Sequence, residues 1–297
     1  MSFQPFSESD AARFHEFAGL FAQCRQTFRD TVNDTAEWRP SPGSIAAQDR
    51  EAALRGDSQY AESNGGLPAL VVIPFLFVAS EQLGALGALY EREEVLVPSG
   101  ACMRSAVEHS AHVLWVLQRA DTEPFEQRLA RALLEMLRSV EERKIVVCNL
   151  FGDGSPECAQ WKERFAGEKQ RIKGSFPDGL TYDRHLPVLL EQKVPSPEGA
   201  VAWMFDFLID TLTTEVGKGV YGFLANLSHP TVDAIMELWG QRPRAEEQQR
   251  HVEYVVVGFY NALSAVIDYH GWSRARFDEL TTKIDQVLPE LLAARGS

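Results

Sequence analysis

Apolar side chains recur every three or four positions along most of this 297-residue chain. Near the start, Phe14, Phe17, Phe21, Cys24 and Phe28 follow this spacing, which places them on one face of a helix. The pattern predicts a first helix from Glu8 to about Asn33. Strand-like alternation bounded by hairpin turns is hard to find anywhere, so the sequence indicates an all-α fold.

Segments rich in Gly and Pro separate the remaining predicted helices. A second long helix follows Gly65-Gly66-Leu67-Pro68, a third opens at Val97-Pro98-Ser99-Gly100 and continues to about Arg119, and a fourth runs from Glu123 to Leu150. Shorter helices are predicted near 46–54, 157–172 and 182–192. The last third returns to helices at about 198–228, 230–239, 245–270 and 274–294.

We expect one domain spanning residues 1–297, a large helical bundle built from the first and last thirds of the chain. Residues 39–66 are predicted to form an ordered surface excursion. Residues 152–200 form an irregular Gly- and Pro-rich insertion in the middle third, which predicts a lid or subdomain.

Composition narrows the possible partners. The chain holds 29 Lys and Arg against 42 Asp and Glu, for a formal net charge of -13. A negative field repels phosphate backbones unless a local patch overrides it, so nucleic acid is disfavoured as a partner but not excluded.

The four cysteines, Cys24, Cys102, Cys148 and Cys158, form no C-x-x-C pair. Their spacing indicates neither a zinc site nor a disulfide framework, so we expect buried, reduced thiols and no metal. None of the common cofactor-binding motifs occurs in its required context either: the chain has no E-x-x-H, no Walker P-loop and no G-x-G-x-x-G on a strand-to-helix turn, so we expect no cofactor.

The first residues lack the basic start and apolar run of a secretory signal, which predicts a cytoplasmic location. The most apolar stretch, Ala69 to Ala79, contains Pro74 and is well short of the roughly 20 residues of a membrane span. It is predicted to be a core helix, and no membrane is expected as a partner.

Ionisable side chains are concentrated on the third predicted helix. Arg104, Glu108 and His112 fall on one stripe, with Ser105 and His109 on its flank. The surrounding positions are apolar, so these groups should be half buried and should need partners.

The partners could come from the fourth predicted helix, which has its own polar stripe. If the two stripes meet, an interhelical network with shifted pKa values results. The alternative is a solvated face with ion pairs four residues apart. The stripe consists of Arg128, Arg131, Glu135, Arg138 and Glu142.

A second candidate lies in the segment from Tyr221 to Thr231, where one predicted helix ends and the next begins. Ser228 and Pro230 suit the start of a helix, which would hold His229 rigidly at the junction as an acid, a base or an anion contact. The alternative is a structural cap with a satisfied core histidine.

Three motifs together resemble a bacterial all-helical family of actinobacterial type that is similar to the HEPN superfamily. They are the run Met103 to Leu117, the run Arg128 to Glu135, and Leu227-Ser228-His229-Pro230-Thr231. The resemblance implies an all-α fold, a homodimer and a site around Arg104, Glu108, His109 and His229. In HEPN proteins an R-x(4–6)-H pair cleaves RNA without a metal, and Arg104 with His109 has that spacing.

The sequence supports three hypotheses. The first, which we favour, is a cofactor-independent enzyme that acts on a small anionic molecule between helices by elimination, cyclisation or hydrolysis. In it Glu108, His109 and His229 move protons, and Arg104, His112, Arg131 and Tyr221 bind the substrate. The second is a HEPN-like ribonuclease or toxin. The third is a non-catalytic helical protein that binds a partner chain.

Overall fold

The computed structural model describes residues 6–34, 38–55, 64–95, 98–118, 120–184, 186–208, 214–228, 232, 244–289 and 291. It confirms the all-α class, with one small sheet inserted among the helices. The helices are α1 (Glu8–Asn33), α2 (Ile45–Leu54), α3 (Leu67–Glu91), α4 (Pro98–Leu117), α5 (Phe125–Phe151), α6 (Pro156–Ser175), α7 (Pro197–Leu208), α8 (Thr214–Ser228), α9 (Ala245–His270) and α10 (Ala275–Val287). The strands are β1 (Leu180–Asp183), β2 (Leu186–Leu189) and β3 (Gln192–Lys193).

The core is one contiguous apolar cluster with α4 near its centre, packed between α3 and α9. The predicted apolar face of α1 is confirmed, since Phe14, Phe17 and Phe21 are all fully buried. The same core includes residues of α9 and α10, so the first and last thirds of the chain share it.

Ser7 caps α1 by accepting a hydrogen bond from the Asp10 backbone N–H, which satisfies one of the unpaired donors of the first turn of α1.

Helix α3 is longer than the apolar stretch that predicted it. Among the described helices it is the one long and apolar enough, by length and composition, to cross a membrane, and half of its most apolar window is buried. A core helix of a soluble protein meets the same criterion. On its outer side Leu70 and Phe77 remain 54% and 49% exposed.

A buried ion pair ties the predicted surface excursion to the core. Asp49, on α2, is 1% exposed and accepts two hydrogen bonds from Arg128 on α5, which is 4% exposed. The Tyr269 hydroxyl on α9 donates to the same carboxylate at 2.8 Å. The short helix predicted near residue 46 is thus confirmed, and its inner face belongs to the core; residues 56–63 lie outside the described part.

The helix predicted at 182–192 is wrong. This segment forms an antiparallel three-stranded sheet in the order β1-β2-β3, which packs on α5. Leu190 and Glu191 make the two-residue turn between β2 and β3 with φ of 47° and 64°. Such turns usually carry Asn or Gly, so the sequence gives no hairpin signal here.

The single helix predicted at 198–228 is also wrong. A Cβ added to Gly217 on α8 would lie 2.6 Å from the Cα of Ala202 on α7, so the two helices pack against each other. In one continuous helix these residues would stand roughly 22 Å apart, at about 1.5 Å per residue. The chain therefore reverses between α7 and α8, and residues 209–213 lie outside the described part.

Two of the four cysteines are not free thiols, contrary to the prediction. Cys148 near the end of α5 and Cys158 in the first turn of α6 form a disulfide. The helical hairpin brings them together although ten positions separate them in sequence. Cys24 is a buried free thiol as predicted, and burial raises its pKa to about 12. Cys102 is free and partly exposed.

The other predicted helices agree with the structure or fall outside it. The helix predicted at 245–270 matches α9, and the last helix begins at Ala275 but ends at Val287, earlier than predicted. Most of the helix predicted at 230–239 lies outside the described residues.

Replacing Asp49 by Asn should destabilise the fold by about 3–5 kcal/mol, because it leaves the buried Arg128 charge without its counterion. The matched control is Glu142→Gln, which breaks the exposed Arg138–Glu142 pair and should cost about 0.5 kcal/mol or less. Urea unfolding followed by circular dichroism measures both. Equal, small losses for the two variants would contradict a structural role for the buried pair.

Buried His270 makes stability depend on pH. The ring is fully buried, bonds the Val266 carbonyl through Nδ1 and stacks on Trp272. Burial lowers its pKa to about 4, whereas an unfolded His titrates near 6.5. Between those values the unfolded chain binds a proton that the folded chain does not, so stability falls as the pH drops.

We therefore expect the unfolding free energy to decrease from about pH 6.5 towards pH 4, by up to about 3 kcal/mol from this residue. His270→Gln should flatten that slope, whereas His15→Gln, at an exposed position, should leave it unchanged. His251, whose pKa burial also lowers to about 4, should maintain part of the slope. Urea unfolding across this pH range tests this, and a slope unaffected by His270→Gln would contradict it.

Candidate functional site

The polar stripe predicted on α4 is half buried, as expected. We call it the α4 polar face and define it as Arg104, Ser105, Glu108, His109 and His112. The side chains of Arg104, Glu108 and His112 are 22%, 21% and 13% exposed. Three neighbouring helices supply partners for them: α8 at one end, and α3 and α5 at the other.

Arg104 lies at the centre of the contacts to α8. Its Nε donates to Glu108 at 2.7 Å, and its terminal nitrogens donate to the Tyr221 hydroxyl at 2.7 Å and to the Ser228 hydroxyl at 3.3 Å. The hydrogen bond to Glu108 is the main cause that raises the pKa of Arg104. This guanidinium therefore remains positive at every physiological pH.

Tyr221 accepts the Arg104 bond as a neutral phenol. Burial, and then the negative charge of Glu108, raise its pKa. The guanidinium carbon of Arg104 lies 5.1 Å from the centre of the Tyr221 ring, which adds a cation–π contact. Arg104, Glu108 and Tyr221, each predicted as a site residue, therefore lie together in the structure.

His109 lies at the edge of the α4 polar face, beside Phe75 of α3. Its Nδ1 lies 2.7 Å from the Ser105 carbonyl oxygen, which can only accept, so Nδ1 bears the proton and Nε2 has the lone pair in the neutral ring. Burial is the main cause that lowers the pKa of His109. The ring is therefore neutral and basic at Nε2 near pH 7.

His112 pairs with a carboxylate from α5. Its Nδ1 lies 2.6 Å from Glu135 Oε1, and Glu135 is only 5% exposed. A carboxylate on Nδ1 fixes the tautomer and the orientation of the ring, so Nε2 is the nitrogen available for proton transfer. The ring of Phe75 on α3 stacks on His112 at 5.4 Å and lies 5.7 Å from His109.

The α4 polar face thus combines two chemical capabilities. At one end a fixed guanidinium can attract an anionic group. At the other end two oriented imidazoles, one of them paired with a buried carboxylate, can accept or donate protons.

The two interpretations of the α5 stripe each hold for a part of it. Glu135 meets His112 as the network interpretation requires, whereas Arg138 and Glu142 form the exposed pair of the solvated-face interpretation. Arg131 does not join the α4 polar face: it is fully buried, its Nε donates to the Val116 carbonyl, and one terminal nitrogen donates to the Gln118 carbonyl and the Glu123 carboxylate. With no exposed surface, it does not contact a ligand in this arrangement.

The sequence does not identify Phe75 as a site residue, and it indicates Glu135 only as a possible partner. Glu135 could have been recognised as a site residue, because it is a charged residue on a stripe that is otherwise expected to be buried. Nothing in the sequence distinguishes Phe75 from other core residues. Ser228 is the last residue of α8 and accepts a hydrogen bond from Arg104; the helix that it is predicted to cap begins outside the described residues. His229, predicted as catalytic, lies outside the described residues.

Three cavities lie on other faces of the described part of the molecule. A largely apolar one of about 490 Å³ lies between α5 and the sheet, one of about 770 Å³ between α8 and α9, and one of about 640 Å³ beside Trp272. The α4 polar face lines none of these three.

A scan against protein-family models, a search of curated proteins and a search of solved structures each found no match to this chain. Its function is therefore inferred from the geometry and chemistry of its own residues.

Proposed function

We propose that the α4 polar face is the active site of a cofactor-independent enzyme that transfers protons on a small anionic molecule. The observation that supports this best is the 2.6 Å contact between His112 and the buried Glu135. A buried carboxylate that fixes an imidazole at the edge of a half-exposed surface is the arrangement that a general base requires. Elimination, cyclisation and hydrolysis are the reaction classes that suit it.

Arg104 is proposed to hold the anionic group of the substrate. A guanidinium has five N–H donors, and the contacts to Glu108, Tyr221 and Ser228 engage one on each nitrogen. Within the described part of the chain, two N–H groups on the terminal nitrogens have no partner, and we propose that they bind a carboxylate or phosphate. The net charge of the chain does not oppose this, because one fixed cation sets the local potential.

His112 is proposed to accept the proton through Nε2, with Glu135 stabilising the imidazolium that forms. His109, neutral and basic at Nε2, is a second candidate for the return of the proton. Glu108 holds Arg104 in place through their hydrogen bond. It is also proposed to take part in proton transfer beside Arg104.

The test begins with a binding screen of small carboxylates and phosphorylated metabolites by saturation-transfer NMR. We expect a compound that binds the wild type, and we expect Arg104→Gln to weaken its binding by about 10–100-fold, the value of a charge-assisted contact. The matched control is Arg138→Gln, which removes a guanidinium with the same Nε-to-carboxylate contact to the residue four positions later. It should leave the affinity unchanged.

Turnover separates catalysis from binding. Incubating the bound compound with His112→Gln should reduce its conversion by about 10²–10⁴-fold with little change in Kd, whereas His15→Gln should convert it at the wild-type rate. If no compound distinguishes Arg104→Gln from Arg138→Gln, the proposal is wrong. Binding that depends on Arg104 without any turnover would favour the non-catalytic hypothesis.

The ribonuclease hypothesis needs Arg104 and His109 to act on one phosphate. The net charge of -13 repels the phosphate backbone of RNA. We therefore do not propose RNA cleavage. RNA cleavage by the wild type that both Arg104→Gln and His109→Gln abolish would overturn the small-molecule proposal in its favour.

A further inference from the structure

The turn between α5 and α6 brings two sulfurs and one carboxylate together. Cys148 and Cys158 have their Cα atoms 4.7 Å apart, and Asp153 Oδ1 lies 3.8 Å from Cys158 Sγ. One donor atom from each of the three residues lies within 4.8 Å of the other two. This cluster is remote in sequence from the α4 polar face and takes no part in the proposed function.

Local sequence explains why the three residues meet. Gly152 ends α5 with φ of 88°, a backbone conformation that suits glycine, and the chain turns back through Asp153 and Gly154. Ser155 then caps α6 by accepting from the Cys158 backbone N–H at 3.1 Å. Cys158 is therefore fixed in the first turn of α6, where the positive end of the helix dipole favours a thiolate.

The spacing of the Asp153 and Cys158 donor atoms suits a tetrahedral cation. Zinc binds thiolates at about 2.3 Å and carboxylate oxygens at about 2.0–2.2 Å, so adjacent sulfur and oxygen ligands stand about 3.5 Å apart. The 3.8 Å from Cys158 to Asp153 is close to that value. Sulfur donors also favour zinc over magnesium or calcium.

We propose that the reduced form of this protein binds Zn²⁺ through Cys148, Asp153 and Cys158, with the fourth coordination position open to water. The disulfide and the metal site use the same sulfurs, so they exclude each other. A dithiol reductant supplies two electrons and two protons to the disulfide and is itself oxidised to a disulfide. Zinc binding then displaces both thiol protons, and the metal takes over the covalent link between α5 and α6.

Lys162 lowers the affinity of this site for a metal ion. Its ammonium nitrogen lies 2.9 Å from Asp153 Oδ1, the same oxygen that approaches Cys158. A cation on this carboxylate competes with the metal for it. Zinc affinity should therefore rise when Lys162 is neutralised, and it should fall when Asp153 loses its charge.

The test uses the full-length protein, reduced with a phosphine, desalted without oxygen and titrated with Co²⁺ and then Zn²⁺. We expect one equivalent of Co²⁺ to give the absorption bands of a tetrahedral thiolate site and Zn²⁺ to displace it. The oxidised protein should give no such bands. Asp153→Asn should weaken binding by about tenfold or more, and Lys162→Gln should strengthen it.

Two pairs of cysteine variants decide the outcome. Cys24→Ala with Cys102→Ala removes the two free thiols and should retain the bands, whereas Cys148→Ser with Cys158→Ser should lose them. Because Cys158 is buried, the single variant Cys148→Ser provides a milder test, and circular dichroism verifies folding. The proposal fails if reduced wild type binds no more Co²⁺ than Cys148→Ser, or if the bands depend on Cys24 or Cys102.

Discussion

The buried Asp49–Arg128 ion pair is the constraint on which the arrangement of α5 depends. Two charges removed from water need each other and every available hydrogen bond, so their positions are narrowly fixed. Here Arg128 also donates to the carbonyls of Ala120 and Glu123, and the Tyr269 hydroxyl donates to the Asp49 carboxylate. One cluster thereby joins α2, α5, α9 and the loop before α5.

That cluster sets the position of the candidate site. Arg131, one turn along α5 from Arg128, bonds the carbonyls of Val116 and Gln118 at the end of α4 and so fixes the two helices to each other. One further turn brings Glu135 to His112. The inward polar stripe of α5 thus serves two purposes: its first two members hold the helices together, and its third orients an imidazole on the α4 polar face.

Helices were predictable wherever apolar spacing extends over several turns, as in α1 and α9. The sheet was not, because Leu190 and Glu191 occupy turn positions that usually carry Asn or Gly. The reversal between α7 and α8 gave no Gly or Pro signal near residues 209–213. The disulfide was not predictable either. Two cysteines ten residues apart indicate a disulfide only once α5 and α6 are known to form a helical hairpin.

The site was predictable in its residue types but not in its partners. Residues Arg104, Glu108 and His112 stood out as polar positions on an apolar helix, and periodicity alone placed them on one face. Their contacts to Tyr221, Glu135 and Phe75 come from helices distant in sequence. Packing between helices that are distant in sequence decides which polar groups are buried. The periodicity of a single sequence does not reveal which helices will pack together.

The central claim is that the guanidinium of Arg104 and the Nε2 of His112 serve one ligand. A crystal structure of the protein with the anion selected by binding tests it most directly. We predict the anionic group on the terminal N–H donors of Arg104 and a proton-bearing atom of the same molecule within about 3 Å of His112 Nε2. An anion bound elsewhere, or one on Arg104 with His112 Nε2 closed off by protein, would contradict it.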